Sequence, residues 1–203
     1  MGQISAFDLQ PFINEHQCKI YFETGTGEAI SLSYALKYGF EEFYTVDVDE
    51  NLIKQAQNRI LGYRNLHFIH DFSNQALKNY LPKIEQDKSI LFFLDAHFPG
   101  ADFHKISYEQ SMRHYGEQSL PLLKEIDIIK STRDISKDVF IIDDWKLYDP
   151  TQNYEAPIWD YRNLQVELGL APHYNEIINQ FKETHNYAVD LRHQGYLILT
   201  PKN

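Results

Sequence analysis

The chain has 203 residues, 43% of them hydrophobic and 24% charged, with a formal net charge of -10. This is the composition of a soluble globular protein that forms a single domain over residues 1–203. The acidic balance lacks any basic stripe and argues against a nucleic-acid surface, and no apolar run approaches the ~20 residues of a membrane helix.

Ile4 to His16 reads as a leading helix interrupted by Pro11, and Lys19 to Glu23 as the first strand. A helix from Glu28 to Tyr38 ends at Gly39, and Phe43 to Val48 is the second strand. Asp49 is placed to cap a helix with Leu52, Ile53, Ala56 and Ile60 on one face. Leu66 to His70 is the third strand, followed by a helix capped by Ser73. Ser89 to Leu94 is apolar throughout and therefore central. A long connection spans 96–116, a helix begins near Ser119, and Val139 to Ile142 is the fifth strand. A second connection, 145–173, holds a short helix around Ile158 to Leu168. After a helix from Asn175 to Thr184, Tyr187 to Arg192 and Tyr196 to Thr200 form a hairpin through Gln194-Gly195. Alternating strands and helices closed by a hairpin predict an α/β, Rossmann-like, doubly wound seven-stranded sheet, mostly parallel with an antiparallel C-terminal strand.

The first strand runs into Glu23-Thr24-Gly25-Thr26-Gly27-Glu28, and the second ends at Asp47. Glycines let a ligand approach the backbone, and the later acid can accept from ribose hydroxyls. A phosphate-binding loop would need a Lys where Glu28 stands, and a dinucleotide turn would need a third glycine where Ile30 stands. Glu23 and Glu28 would also repel a pyrophosphate, whereas they suit the sulfonium and ammonium of S-adenosylmethionine (SAM). Two more acidic motifs close the fourth and fifth strands: Asp95-Ala96-His97 and Asp143-Asp144-Trp145. In an open α/β sheet these strand ends share one crevice. Asp95, Asp143 and Asp144 would then repel one another unless neutralised, and oxygen ligands suit Mg²⁺.

The segment from Glu23 to Asp47 resembles the class I SAM-dependent methyltransferases, and the resemblance extends over most of the chain. It implies that Glu23, Gly25 and Gly27 border the methionine and ribose of SAM, that Asp47 holds the ribose, and that Asp71 meets the adenine. Asp71 could equally serve the following helix as a cap. The aspartates resemble those of the metal-dependent catechol-type and macrolide-sugar O-methyltransferases. That implies Mg²⁺ on Asp95, Asp143 and Asp144 and transfer to a hydroxyl of a small polar acceptor such as a sugar. Catechol-type members carry a Lys three positions after the first Asp, where this chain has Phe98. The base is then His97 or Asp95 itself.

The two long connections read as lids over the site, the second rich in aromatics such as Trp145, Tyr148, Tyr154 and Trp159. Cys18 is the sole cysteine and reads as a packing residue, so no intrachain disulfide forms. No signal segment is evident at the N-terminus, and a cytoplasmic enzyme is expected, with a small-molecule partner, no nucleic acid or membrane, and self-association left open. A metal-independent methyltransferase and a non-catalytic binding module are the alternatives.

Overall fold

A computed structural model describes residues 3–152, 154, 161–168 and 174–202. Its strands are β1 (Cys18–Thr24), β2 (Glu42–Asp47), β3 (Leu66–His70), β4 (Ser89–Leu94), β5 (Val139–Ile142), β6 (His185–Asp190) and β7 (Tyr196–Pro201). They form one sheet in the order β3-β2-β1-β4-β5-β7-β6. β1 to β5 pair in parallel, while β7 runs antiparallel to both β5 and β6. The expected architecture is therefore present, including the closing hairpin.

The parallel register carries the functional edge. Thr24 pairs with both Val46 and Leu94, Asp47 with His70, and Leu94 with Ile142. The residues that follow, Gly25, Asp71, Asp95 and Asp143, therefore leave the sheet beside Asp47 along one line. Backbone bonds from Asp95 N to Thr24 O (3.1 Å), Asp143 N to Leu94 O (3.0 Å) and Asp71 N to Asp47 O (3.1 Å) fix them there. Alternation along the strands feeds two cores. Phe22, Phe92 and Phe140 pack together on one face, with centroid spacings of 5.8 and 5.0 Å, and Tyr21, Leu91, Phe93 and Ile141 fill the other. Each such buried side chain contributes about 1.5–3 kcal/mol. Cys18 is fully buried in the second core, as expected of a packing residue.

The helices are α1 (Gln10–Glu15), α2 (Ile30–Ala35), α3 (Glu50–Arg59), α4 (Ser73–Tyr80), α5 (Tyr108–Tyr115), α6 (Leu122–Thr132), α7 (Tyr161–Glu167) and α8 (Tyr174–Phe181). Asp49 caps α3 by accepting from Asn51 N. Ser73 does not cap α4. It is the first helical residue, and the capping position is Phe72, which has no side chain able to accept. The leading helix is shorter than expected, because Pro11 lies in the first turn of α1 and the chain before it makes only a 3₁₀ turn over Ile4–Ala6. The 96–116 connection is not all loop. Ser107 and Gln110 form a reciprocal capping box that starts α5. Trp159 lies outside the described residues, as do residues 153, 155–160 and 169–173 of the 145–173 connection. No helix among the described residues is long and apolar enough to cross a membrane.

Candidate active site

A cleft of about 750 Å³ opens at the carboxyl ends of β1, β2, β3 and β4. Gly25 forms its floor with φ +87°, and a Cβ there would lie 2.6 Å from Asp95 O, so the β1 turn can pack on the end of β4 only with glycine. Gly27 also has positive φ and donates its N–H to Asp47 Oδ2 at 2.9 Å. Asp47 Oδ1 accepts from Asp49 N at 2.8 Å. Both oxygens keep a lone pair for a diol. Asp49 forms an ion pair with Lys105, and the Phe103 ring lies 3.5 Å from the position of a Cβ on Gly27. The start of the 96–116 connection thus covers the turn, as its length suggested.

Five carboxylates line this cleft: Asp47, Asp49, Asp71, Asp95 and Asp102. Asp71 uses Oδ1 to accept from the adjacent Phe72 N at 2.8 Å. Glu23 and Glu28 are not lining residues. Glu28 is exposed, and its carbonyl accepts from Arg59. Glu23 is fully buried, with one oxygen accepting from Tyr21 Oη (2.8 Å) and the other from Thr45 Oγ1 (2.6 Å). Thr45 in turn bonds Thr26 at 2.6 Å, so Glu23 supports the glycine turn from behind. Burial pushes its carboxyl up to about 8, so it is largely protonated and neutral at pH 7.

The second half of the site centres on His97, whose side chain is 7% exposed. Its Nε2 lies 2.7 Å from Asp144 Oδ2 and 3.6 Å from Asp102 Oδ2, and its Nδ1 lies 3.5 Å from Asp95 Oδ1. Tyr154 Oη donates to Asp144 Oδ2 at 3.0 Å, and Tyr108 Oη to Asp102 Oδ1 at 2.5 Å. Burial alone would strip the imidazole of its charge, but Asp144, then Asp102 and Asp95, hold its pKa well above the usual value. Burial opposes ionisation of Asp144 as well, yet His97 keeps it below the ordinary carboxylate range. Burial and Asp144 push Asp143 up to about 8, while burial and Asp143 raise Asp95 well above the usual value. The cluster is therefore a close His97–Asp144 pair beside two carboxyls, Asp95 and Asp143, whose ionisation burial opposes.

The cleft fits SAM by the chemistry of its donor set. Its lining carboxylates suit a cation and oppose a pyrophosphate, and a diol acceptor, Asp47, stands at the glycine turn. The expected Mg²⁺ set does not fit. Asp95, Asp143 and Asp144 do come together at neighbouring strand ends, but Asp143 and Asp144 do not line the cleft. His97 does, and its Nε2 is bonded to Asp144 Oδ2. Asp143 Oδ1 is taken by Asp144 N at 2.7 Å. Asp143 Oδ2 and Asp144 Oδ1 are buried without a hydrogen-bond partner. Among the described residues no group of three or more His, Cys, Asp or Glu side chains is arranged to hold a metal ion.

Sequence reasoning missed Asp49 as a lining residue and Asp102, Tyr108 and Tyr154 as partners of the cluster. Asp49 stood two positions from Asp47 and could have been found by its spacing. The other three are placed by the path of the long connections, which no local pattern encodes.

No protein-family model and no curated protein matches the sequence. Solved structures do. A candidate caffeoyl-CoA O-methyltransferase from Staphylococcus aureus is 16% identical with a TM-score of 0.65, covering 100% of this chain and 85% of that one. A methyltransferase of Podospora anserina bound to S-adenosylhomocysteine (SAH) is 13% identical with a TM-score of 0.53, covering 94% of this chain and 75% of that one. A candidate methyltransferase from Streptococcus mutans in complex with SAH is 13% identical with a TM-score of 0.51, covering 95% and 98%. With the strand order and the glycine turn, these likenesses give the chain the class I SAM-dependent methyltransferase fold.

Proposed function

We propose that the chain is a SAM-dependent O-methyltransferase acting on a hydroxyl of a small polar acceptor, such as a sugar or a glycosylated metabolite. The observation that carries this reading is the joining of two halves in one cleft. The glycine turn with Asp47 lies against Asp95, and Asp95 leads into the His97 cluster. Gly25, Gly27, Asp47 and Asp71 would hold the cofactor, which when bound supplies an electrophilic methyl group on a positively charged sulfur. Two of the solved structures of this fold carry SAH, which supports the cofactor assignment.

Asp95 takes the acceptor's hydroxyl proton. It lines the cleft, and the raised pKa makes its ionised form a stronger base than an ordinary carboxylate. His97 cannot accept that proton while it is charged. Its Nε2 bonds Asp144 Oδ2 and its Nδ1 lies 3.1 Å from the Asp95 carbonyl oxygen, so it positions the acids rather than the acceptor. Phe103 and the Lys105–Asp49 pair close over the turn and exclude water from the transfer.

The test is release of SAH from SAM in the presence of a panel of polyols, glycosides and phenols, with the product analysed for a methyl ether. Asp95→Asn should lose transfer by roughly a hundredfold or more while still binding SAM. Transfer to nitrogen acceptors alone, or full activity of Asp95→Asn, would overturn the assignment.

A further inference from the structure

We propose that the His97 ring fills the place among these carboxylates where a divalent metal would otherwise be held, so that the residues present do not fit one. The resemblance to metal-dependent enzymes points the other way. One ring has three carboxylates around it: Asp144 at 2.7 Å, Asp95 at 3.5 Å and Asp102 at 3.6 Å. The ring takes up the position between these carboxylates, with Nε2 at hydrogen-bond distance from Asp144 Oδ2 and Nδ1 at 3.1 Å from the Asp95 carbonyl oxygen.

The surrounding shell serves the ring. Tyr154 and Tyr108 each donate a hydroxyl to one of these carboxylates, fixing Asp144 and Asp102 with respect to the imidazole. The Phe98 ring meets His97 edge-on at a centroid distance of 5.4 Å. Both neighbouring backbones are held in the left-handed region, Phe98 at φ +41° and Asp144 at φ +53°, which non-glycine residues enter only when the surroundings compel them. Asp102 and Tyr108 thereby become positioning residues for His97, and the 96–116 connection acts as part of the site as well as its cover. Of the Mg²⁺ ligands implied by resemblance, Asp95 lines the cleft, whereas Asp143 and Asp144 do not, and Asp144 Oδ2 is bonded to the His97 ring that does.

The inference concerns metal binding alone and does not depend on which acceptor is methylated. It is tested on the full-length chain by titrating Mn²⁺ and following its EPR signal, with and without SAM, so that no turnover is needed. The wild-type chain should take up no stoichiometric Mn²⁺ at millimolar metal. His97→Ala, which uncovers Asp95, Asp102 and Asp144, should bind one Mn²⁺ at least roughly tenfold more tightly than wild type, and adding Asp144→Asn should abolish the gain. Should His97→Ala not fold, His97→Ser, too short to reach Asp144, is held to the same standard. Stoichiometric binding by wild type that is lost in Asp95→Asn would overturn the proposal. So would a folded His97 variant that binds metal no better than wild type.

Discussion

Two buried ion pairs sit at opposite ends of the same strands, and they differ in what surrounds them. Arg133 and Asp138 lie before β5, at the amino edge of the sheet, 5% and fully buried respectively in exposure terms. Asp138 Oδ2 accepts from Arg133 Nε at 2.8 Å, Oδ1 accepts from Ile90 N at 2.9 Å, and Arg133 Nη2 reaches Lys88 O at 2.7 Å. One acid thus meets one base, and both acid oxygens are bonded. At the carboxyl edge, His97 and Asp144 share their space with Asp95, Asp102 and Asp143, and two carboxylate oxygens have no partner. The first pair ties the α6–β5 connection to β4. The second leaves electrostatic tension unresolved beside a cleft, as expected where a ligand or a moving proton is to be accommodated.

The comparison breaks most sharply at the amino edge. Arg133→Met should cost about 3–5 kcal/mol in urea unfolding, because Asp138 is left buried without its base, and a companion Asp138→Leu should recover most of it. SAM binding by the folded fraction should not change. Asp47→Ala inverts that pattern. Loss of hydrogen bonds from a charged acceptor should weaken SAM binding by about 1.5–3 kcal/mol in calorimetry, with a smaller change in unfolding.

Glu23 gives a third contrast, through pH. Its folded-state pKa is raised from 4.5 to about 8, so its contribution to stability is complete below 4.5 and is lost as pH rises toward 8. In that window the native state holds a proton that the unfolded chain has released, a slope of up to about 1.4 kcal/mol per pH unit. Glu23→Gln should flatten this part of the stability–pH curve measured by urea unfolding. The smallest effect is expected of Lys105→Ala. Its ion pair with Asp49 is half exposed on the lysine side and worth about 0.2–1 kcal/mol, so SAM should dissociate faster with little change in stability.

Much of the fold was legible because apolar strands and Gly- or Asp-terminated turns are local signals. The buried run Ser89 to Leu94 marked the sheet's centre, and Gln194-Gly195 marked the hairpin. The glycine turn, Asp47 and Asp95 were likewise found at their strand ends. Glu23 does not line the cleft, for a reason visible in the strand itself. β1 is buried on both faces from Ile20 to Thr24, so alternation offers no wet side and cannot say that Glu23 points with Tyr21 into the core. Asp143 and Asp144 were placed together correctly, but not the imidazole bonded to Asp144. That depends on how Ala96 to Ser107 folds back over β4. The start of α5 could have been read, since Ser107 and Gln110 stand at capping-box spacing.

The most direct test of the central claim is a calorimetric titration of the full chain with SAM, repeated with Asp47→Ala and with NAD as the anionic control. The account predicts one SAM site, weakened roughly 10- to 100-fold by the substitution, and no binding of NAD. Absence of heat with SAM at millimolar concentration, or binding of NAD in its place, would contradict it.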